Sequence, residues 1–203
     1  ETDGSIVWSA DSRAFFYVRI DDNHRTSQVF LHVVGTDPVQ DQLIIEEPDG
    51  AWFVSLSESR CSRFGIVSIH GHDASECWLI DLHAPQTPPR LVARREDRLR
   101  YEVEPHGDQI YILNNADGAD DFRISVAPLA ACERANWRDV VAHRSGAMIV
   151  AMTVFKNYLV WLTRENSLPT ISIRDLTTHD EHLIAFDEEA YALGLDQIGR
   201  AHV

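Results

Sequence analysis

Glu76-Cys77-Trp78-Leu79-Ile80-Asp81-Leu82 decides the fold, because short segments of the same kind return at a nearly fixed interval. Gln28-Val29-Phe30-Leu31 precedes it, and Arg123-Ile124-Ser125-Val126 and Thr170-Ile171-Ser172-Ile173 follow. Leu31, Leu79, Val126 and Ile173 lie 48, 47 and 47 residues apart. The last three segments align further on, at Asp81-Leu82, Pro128-Leu129 and Asp175-Leu176. A period of roughly 40–50 residues built from short strands and turns marks the blades of a β-propeller. Such a unit cannot bury its faces alone, so the repeat implies a stack of blades with a site shared between them.

Working outward, each interval divides into four strands. The unit 4–47 holds Ser5–Trp8, Ala14–Val18, Gln28–Val34 and Leu43–Ile45, with breaks at Asp21-Asp22-Asn23, Gly35-Thr36-Asp37-Pro38 and Pro48-Asp49-Gly50. The unit 52–95 holds Phe53–Leu56, Phe64–Ile69, Glu76–Leu82 and Arg90–Ala93. The unit 100–143 holds Tyr101–Val103, Gln109–Leu113, Phe122–Val126 and Trp137–Val141. The unit 147–187 holds Met148–Phe155, Tyr158–Leu162, Thr170–Arg174 and Glu181–Phe186. Residues 190–203 read as the start of a further blade, opening with Ala190-Tyr191-Ala192-Leu193-Gly194-Leu195. Imperfect alternation in Ala14–Val18 suits a strand covered on both faces. Ala127–Trp137 contains helix formers, but Pro128 and its place between two strands favour a loop or a single turn. The expected fold is all-β, a β-propeller of four-stranded antiparallel blades. A β-sandwich is the competing arrangement of short, regularly turned strands. The abrupt first and last units are expected of a piece of a longer protein.

The formal charge is −14, from 32 acidic against 18 basic residues, and only Lys156 among the basic residues is a lysine. So acidic a chain repels a phosphate backbone, which argues against nucleic acid, and favours cationic partners. No stretch approaches the ~20 apolar residues of a membrane helix, and no basic-then-apolar leader opens the chain. Cys61, Cys77 and Cys132 form an odd set without metal-type spacing, as expected of reduced thiols in a cytoplasmic protein.

Motifs of chemistry are sparse. There is no G-x-S-x-G, H-E-x-x-H, phosphate loop or dinucleotide fingerprint. Ser5 follows a glycine and Ser145 precedes one, but each lacks the second glycine. His70 and His72 are two apart and His179 and His182 three apart; without a third ligand nearby they read as surface-turn histidines. The acidic pairs Asp21-Asp22, Glu46-Glu47, Asp120-Asp121 and Glu188-Glu189 would create a field for basic ligands, or else are solvated turns and strand ends. Asn114–Phe122 carries Asp117-Gly118 at its centre and reads as a hairpin turn, since the calcium-loop spacing is not met. No catalytic residue, metal site or cofactor is assigned, and no substrate-binding residue can be picked out.

Taken together, the ordered segments resemble the oligopeptidase B (protease II) branch of the prolyl oligopeptidase family of serine peptidases. Ser5-Ile6-Val7-Trp8-Ser9-Ala10-Asp11-Ser12-Arg13-Ala14-Phe15-Phe16-Tyr17-Val18-Arg19 is similar to a blade opening there, as is Gln28–His32 with Gly35-Thr36. Ile44–Asp49 with Phe53–Leu56 resembles the next junction. Ser75–Asp81 resembles the family's SEVWLLD strand, Asn114–Phe122 its TNADGAEDF hairpin, and Ala185–Tyr191 its AFDEPAY run, with Glu189 in place of the proline. The resemblance implies about four blades of a seven-bladed propeller that covers an α/β-hydrolase domain bearing a Ser-Asp-His triad. None of the triad positions lies in this sequence. It further implies a peptidase for short basic peptides, cleaving after Arg or Lys. In that reading the propeller gates access, is non-catalytic alone, and takes its own hydrolase domain as partner. Open end blades carrying Val7, Phe15, Tyr17, Ile171 and Ile173 would make the isolated chain self-associate. The alternative is a non-enzymatic propeller scaffold that binds a protein or ligand.

Overall fold

In the computed structural model, residues 1–184 and 192–195 are described. They form four antiparallel sheets of four strands, each built from four consecutive strands. The first sheet holds β1 (Thr2–Trp8), β2 (Ala14–Ile20), β3 (Thr26–Val33) and β4 (Gln42–Glu46). The second holds β5 (Phe53–Glu58), β6 (Phe64–His70), β7 (Ser75–Asp81) and β8 (Arg90–Ala93). The third holds β9 (Tyr101–His106), β10 (Gln109–Asn114), β11 (Arg123–Pro128) and β12 (Arg138–Val141). The fourth holds β13 (Ala147–Val154), β14 (Tyr158–Glu165), β15 (Leu168–Asp175) and β16 (Glu181–Leu183). The chain is thus all-β, with four propeller blades. Residues 185–191 and 196–203 lie outside the described part; those of 190–203 that are described, 192–195, form no strand.

The sequence period is a structural equivalence. Leu31, Leu79, Val126 and Ile173 all sit on the third strand of their sheet, opposite Phe16, Ile66, Tyr111 and Val160 of the second. The pairing of third and fourth strands slips between Val29 and Phe30, between Cys77 and Trp78, and between Ile124 and Ser125. These three bulges fall two residues ahead of the repeating apolar residue, where extra twist bends the outer strand. The fourth sheet pairs there without a slip.

Each seam between sheets is a dry apolar layer. Phe16, Val18, Val29 and Leu31 pack on Val54, Val67, Ile69 and Ile80 between the first and second sheets. Ile66 and Leu79 pack on Ile110 and Ile112 between the second and third. Tyr111 and Leu113 meet Leu159 and Trp161 between the third and fourth. Burying each such side chain favours folding by about 1.5–3 kcal/mol, which is why no sheet stands without its neighbour. Tyr101 adds a specific tie. From β9 its hydroxyl donates to the Ala93 carbonyl at 2.5 Å and accepts from the Cys77 and Ala93 amides at 2.8 and 3.2 Å. It thereby satisfies backbone groups at the bulge of the second sheet.

Local chemistry repeats as well. The β1–β2 and β5–β6 turns are each closed by a serine, whose Oγ accepts the amide of Ala14 from Ser9 and of Phe64 from Ser59. Ser12 and Ser62 take the left-handed conformation in these turns, at φ 57° and 54°.

One expectation needs correction. Val7 does not face outward: it pairs with Phe16 and shares its buried face in the first seam. Period-two alternation leaves Phe15 and Tyr17 on the outer face of the first sheet, as expected of them. Ile171 and Ile173 pair with Leu162 and Val160, on the opposite face from Trp161 in the last seam. The segment Asn114–Phe122 is the hairpin turn expected, joining Asn114 of β10 to its partner Arg123 of β11. It contains a 3-10 turn at Ala116–Gly118, with positive φ at Asp117, Gly118 and Phe122. Asn114, fully buried, fixes this loop: its side chain accepts the Ala116 amide and donates to Ser125.

Candidate functional site: the wall formed by the first strands

The first strand of each sheet leaves one edge unpaired, and these edges converge, β1 packing beside β5 and β9 beside β13. On β5, Ser55 and Ser57 are exposed; on β9, Glu102 is exposed and Glu104 half-buried; on β13, Val150 is exposed between half-buried Met148 and Met152. The chain's two methionines thus stand on one strand of this wall. Exposed Glu102 thus lies beside exposed Val150 and half-buried Met148, while Met152, past a bulge, packs into the seam with the third sheet.

The wall opens into a cavity of 610 Å³ at the end where β5, β9 and β13 begin. Arg100, Glu102, Phe122, His70, His72 and Met148 are among its lining residues. The Arg100 guanidinium lies 5.0 Å from the centre of the Phe122 ring, and the His70 ring stacks on Phe53 at 6.1 Å. At the far end of the same strands a second cavity, of 360 Å³, is lined by Cys61, His106 and Lys156. There Arg60 lies over the Phe155 ring at 4.7 Å while its amide donates to Glu104 at 2.9 Å.

Other expected candidates are dispersed. His70 and His72 reach the first cavity, whereas His179 lies in the β15–β16 turn and His182 on β16. Among the described residues no group of three or more His, Cys, Asp or Glu could hold a metal ion. Ser5 bonds to Asp3, and Ser145 is exposed in the connection before β13. Among the acidic pairs, Asp21 is held by Arg25, and Asp121 accepts the Gly146 amide. Glu47 departs from the solvated reading: it is 4% exposed and ion-paired to Arg95. Glu188-Glu189 lies outside the described residues. Burial pushes the Cys77 thiol up to about 12, so it stays protonated and inert.

A second polar cluster occupies the outer face of the first sheet. Asp41 accepts from the Tyr17 hydroxyl at 2.6 Å and from His32 Nδ1 at 2.7 Å, with Arg19 at 3.6 Å. Burial alone would raise the Asp41 carboxyl, but the Tyr17 and His32 bonds outweigh it and lower the pKa. Trp8, Phe15 and Phe30 surround this cluster, Trp8 being 48% exposed.

Sequence reading missed Arg100 and Glu102. Their signal was the alternation Arg100-Tyr101-Glu102-Val103-Glu104, which sends the charged residues to one side of β9 and the apolar ones to the seam.

Comparison with known proteins follows this geometry. Residues 1–197 match the family pattern described as prolyl oligopeptidase, N-terminal beta-propeller domain. Dipeptidyl aminopeptidase BI of Pseudoxanthomonas mexicana is 33% identical over 192 residues, which is 94% of this chain and 26% of that protein. Protease 2 of Moraxella lacunata is 31% identical over 194 residues, 95% of this chain and 27% of that protein. Among solved structures, oligopeptidase B of Leishmania major superposes with a TM-score of 0.87 at 24% identity, over 93% of this chain and 28% of that one. Oligopeptidase B of Trypanosoma brucei with covalently bound antipain superposes with a TM-score of 0.86 at 25% identity, with the same coverage. The chain therefore spans about a quarter of the length of these relatives.

Proposed function

Since this chain belongs to the prolyl oligopeptidase family of serine peptidases, matching its N-terminal propeller domain, we propose that it is the gating propeller of a peptidase that cleaves short peptides after Arg or Lys. The observation that carries the reading is the match to protease 2 along 95% of the chain, together with the propeller shared with oligopeptidase B. Glu102 and Glu104 on the wall are consistent with it, since they present negative charge where a cationic peptide would pass. The chemistry belongs to a hydrolase domain outside these residues. This part encloses substrate and excludes folded proteins by its dimensions, and it works in the cytoplasm.

The test is hydrolysis by the protein expressed from its complete reading frame. Short peptides with an internal Arg or Lys should be cut after it and a serine-directed reagent should stop the reaction, while the 203-residue chain alone turns nothing over. Cleavage after proline instead, or activity surviving the reagent, would overturn the reading. A second reading, removal of N-terminal dipeptides, is favoured by the 33% identity to dipeptidyl aminopeptidase BI. Acetylating the peptide's N-terminus separates the two, because only dipeptide release is abolished. For the isolated chain we expect self-association through the aromatic outer face of the first sheet. Light scattering that gives a monomer at high micromolar concentration would exclude it.

A further inference from the structure

Arg100, just before β9, and Glu102, at its start, stand two residues apart and line the same 610 Å³ cavity, yet no ion pair joins them. Among the described residues the Arg100 side chain meets only the Phe122 ring, and Glu102 meets no cation. Opposite charges so close along a strand ordinarily pair when nothing else holds them. Here the Phe122 ring, its centre 5.0 Å from the guanidinium, holds the cation by its π face, which leaves the guanidinium donors open to a ligand. His70 and His72 stand at the rim, and no described carboxylate other than Glu102 lines the cavity.

A guanidinium fork selects a carboxylate. A dianion such as phosphate is disfavoured by Glu102 on the same wall and by the chain's overall charge of −14. What fits both groups is one molecule bearing a carboxylate and, nearby, a cation. We infer that this cavity binds the free C-terminus of a peptide ending in Arg or Lys, with the terminal carboxylate on Arg100 and the basic side chain toward Glu102. The inference rests on cleavage after basic residues, because that reaction releases such a C-terminus on its acyl-side product. The cavity would then hold product, or a peptide already trimmed. Met148 and Val150 on the adjoining strand offer apolar contact to the preceding residues of the peptide.

The experiment is calorimetric titration of the protein expressed from its complete reading frame, after treatment with a covalent serine-directed reagent that closes the hydrolase centre. The probes are Ala-Ala-Arg as the free acid, the same peptide as its C-terminal amide, and Ala-Ala-norleucine as the free acid. The free acid of Ala-Ala-Arg should bind about tenfold more tightly than either other probe, the size of one retained charged contact. Arg100→Gln should erase the preference for acid over amide and leave the preference for arginine over norleucine. Glu102→Gln should do the reverse. Arg100→Lys, which keeps the charge but not the fork, should retain only part of the acid preference. Equal binding of acid and amide, or an acid preference that survives Arg100→Gln, overturns the inference. Both side chains are solvent-exposed, so these variants are expected to fold, and unchanged thermal unfolding verifies it. Should the protein fail to cleave after basic residues, the reagent becomes irrelevant and the same titrations still decide the site. Failure of the peptidase reading is therefore distinguishable from failure of this one.

Discussion

The seam between the first and second sheets and the seam between the second and third share an apolar interior and differ in how their margins are fastened. In the first, Arg95 reaches from the connection after β8 to buried Glu47 at 2.5 Å and to Glu76 at 3.4 Å, lying 4.2 Å from the centre of the Trp52 indole. In the second, the neutral Tyr101 hydroxyl bonds directly to backbone groups of Cys77 and Ala93. A neutral fastening on backbone is indifferent to ionic strength, while a partly exposed ionic one is screened by it. One stack thus contains, in neighbouring seams, a fastening that responds to its solution conditions and a fastening that does not.

The largest effect should come from Tyr101→Phe. The ring still fills its place, but the Cys77 amide and both polar groups of Ala93 lose their partner inside the protein. Each orphaned buried group costs about 1–3 kcal/mol, so a total near 3 kcal/mol is expected after relaxation. Urea unfolding should show the same loss at low and at high salt. Next comes Arg95→Met, which keeps the contact with Trp52 and takes the cation from Glu47 and Glu76 while leaving their bonds to the Asp49 amide and the Trp78 indole. About 2 kcal/mol should be lost at low salt, below the figure for a fully buried pair because Arg95 is partly exposed. That loss should shrink by more than half at about 1 M salt. Equal salt responses of the two variants would break the contrast between the seams.

Neither fastening could be read from the sequence, and the reason is physical. Spacing along the chain identifies strands, and the interval from Leu31 to Ile173 identified equivalent ones, because backbone periodicity is local. Which residues of different blades meet is not local. Glu46 and Glu47 are neighbours of identical chemistry; one stays exposed with Gln28 while the other is buried against Arg95, 48 positions away. Val7 was misplaced for the same reason, since its face depends on register with Phe16 rather than on its own neighbours. Asn114-Asn115-Ala116-Asp117-Gly118 advertised a turn but not its type, which the buried Asn114 side chain decides. The cavity was partly legible, in that alternation places Arg100 and Glu102 on one side of β9. That Phe122 arrives from another loop to hold Arg100 is a tertiary fact.

The smallest effect tests whether responsiveness to conditions extends to the third sheet's margin. Asp117, in the loop between β10 and β11, accepts from Arg123 at 2.5 Å and from Arg134 at 2.8 Å. Arg134 in turn pairs with Glu96 from the connection that follows the second sheet. The bond from Arg123, followed by the charge of Arg134, holds the Asp117 carboxyl below its ordinary range despite an opposing desolvation. A depressed carboxyl contributes stability above its unfolded value of about 3.9 and loses that contribution as pH falls through the lower folded value. Asp117→Asn should therefore destabilise by less than about 1 kcal/mol near neutrality, because the pair is exposed. The gap between the parent chain and the variant should hold from about pH 7 to about pH 5 and close as pH drops below about 4. Tyr101→Phe should show no such closing, because its lost bonds involve no group that titrates in that window. A gap for Asp117→Asn that widens on acidification would mean the carboxylate is not favoured by its arginines. The responsive chemistry would then be confined to the seam between the first and second sheets.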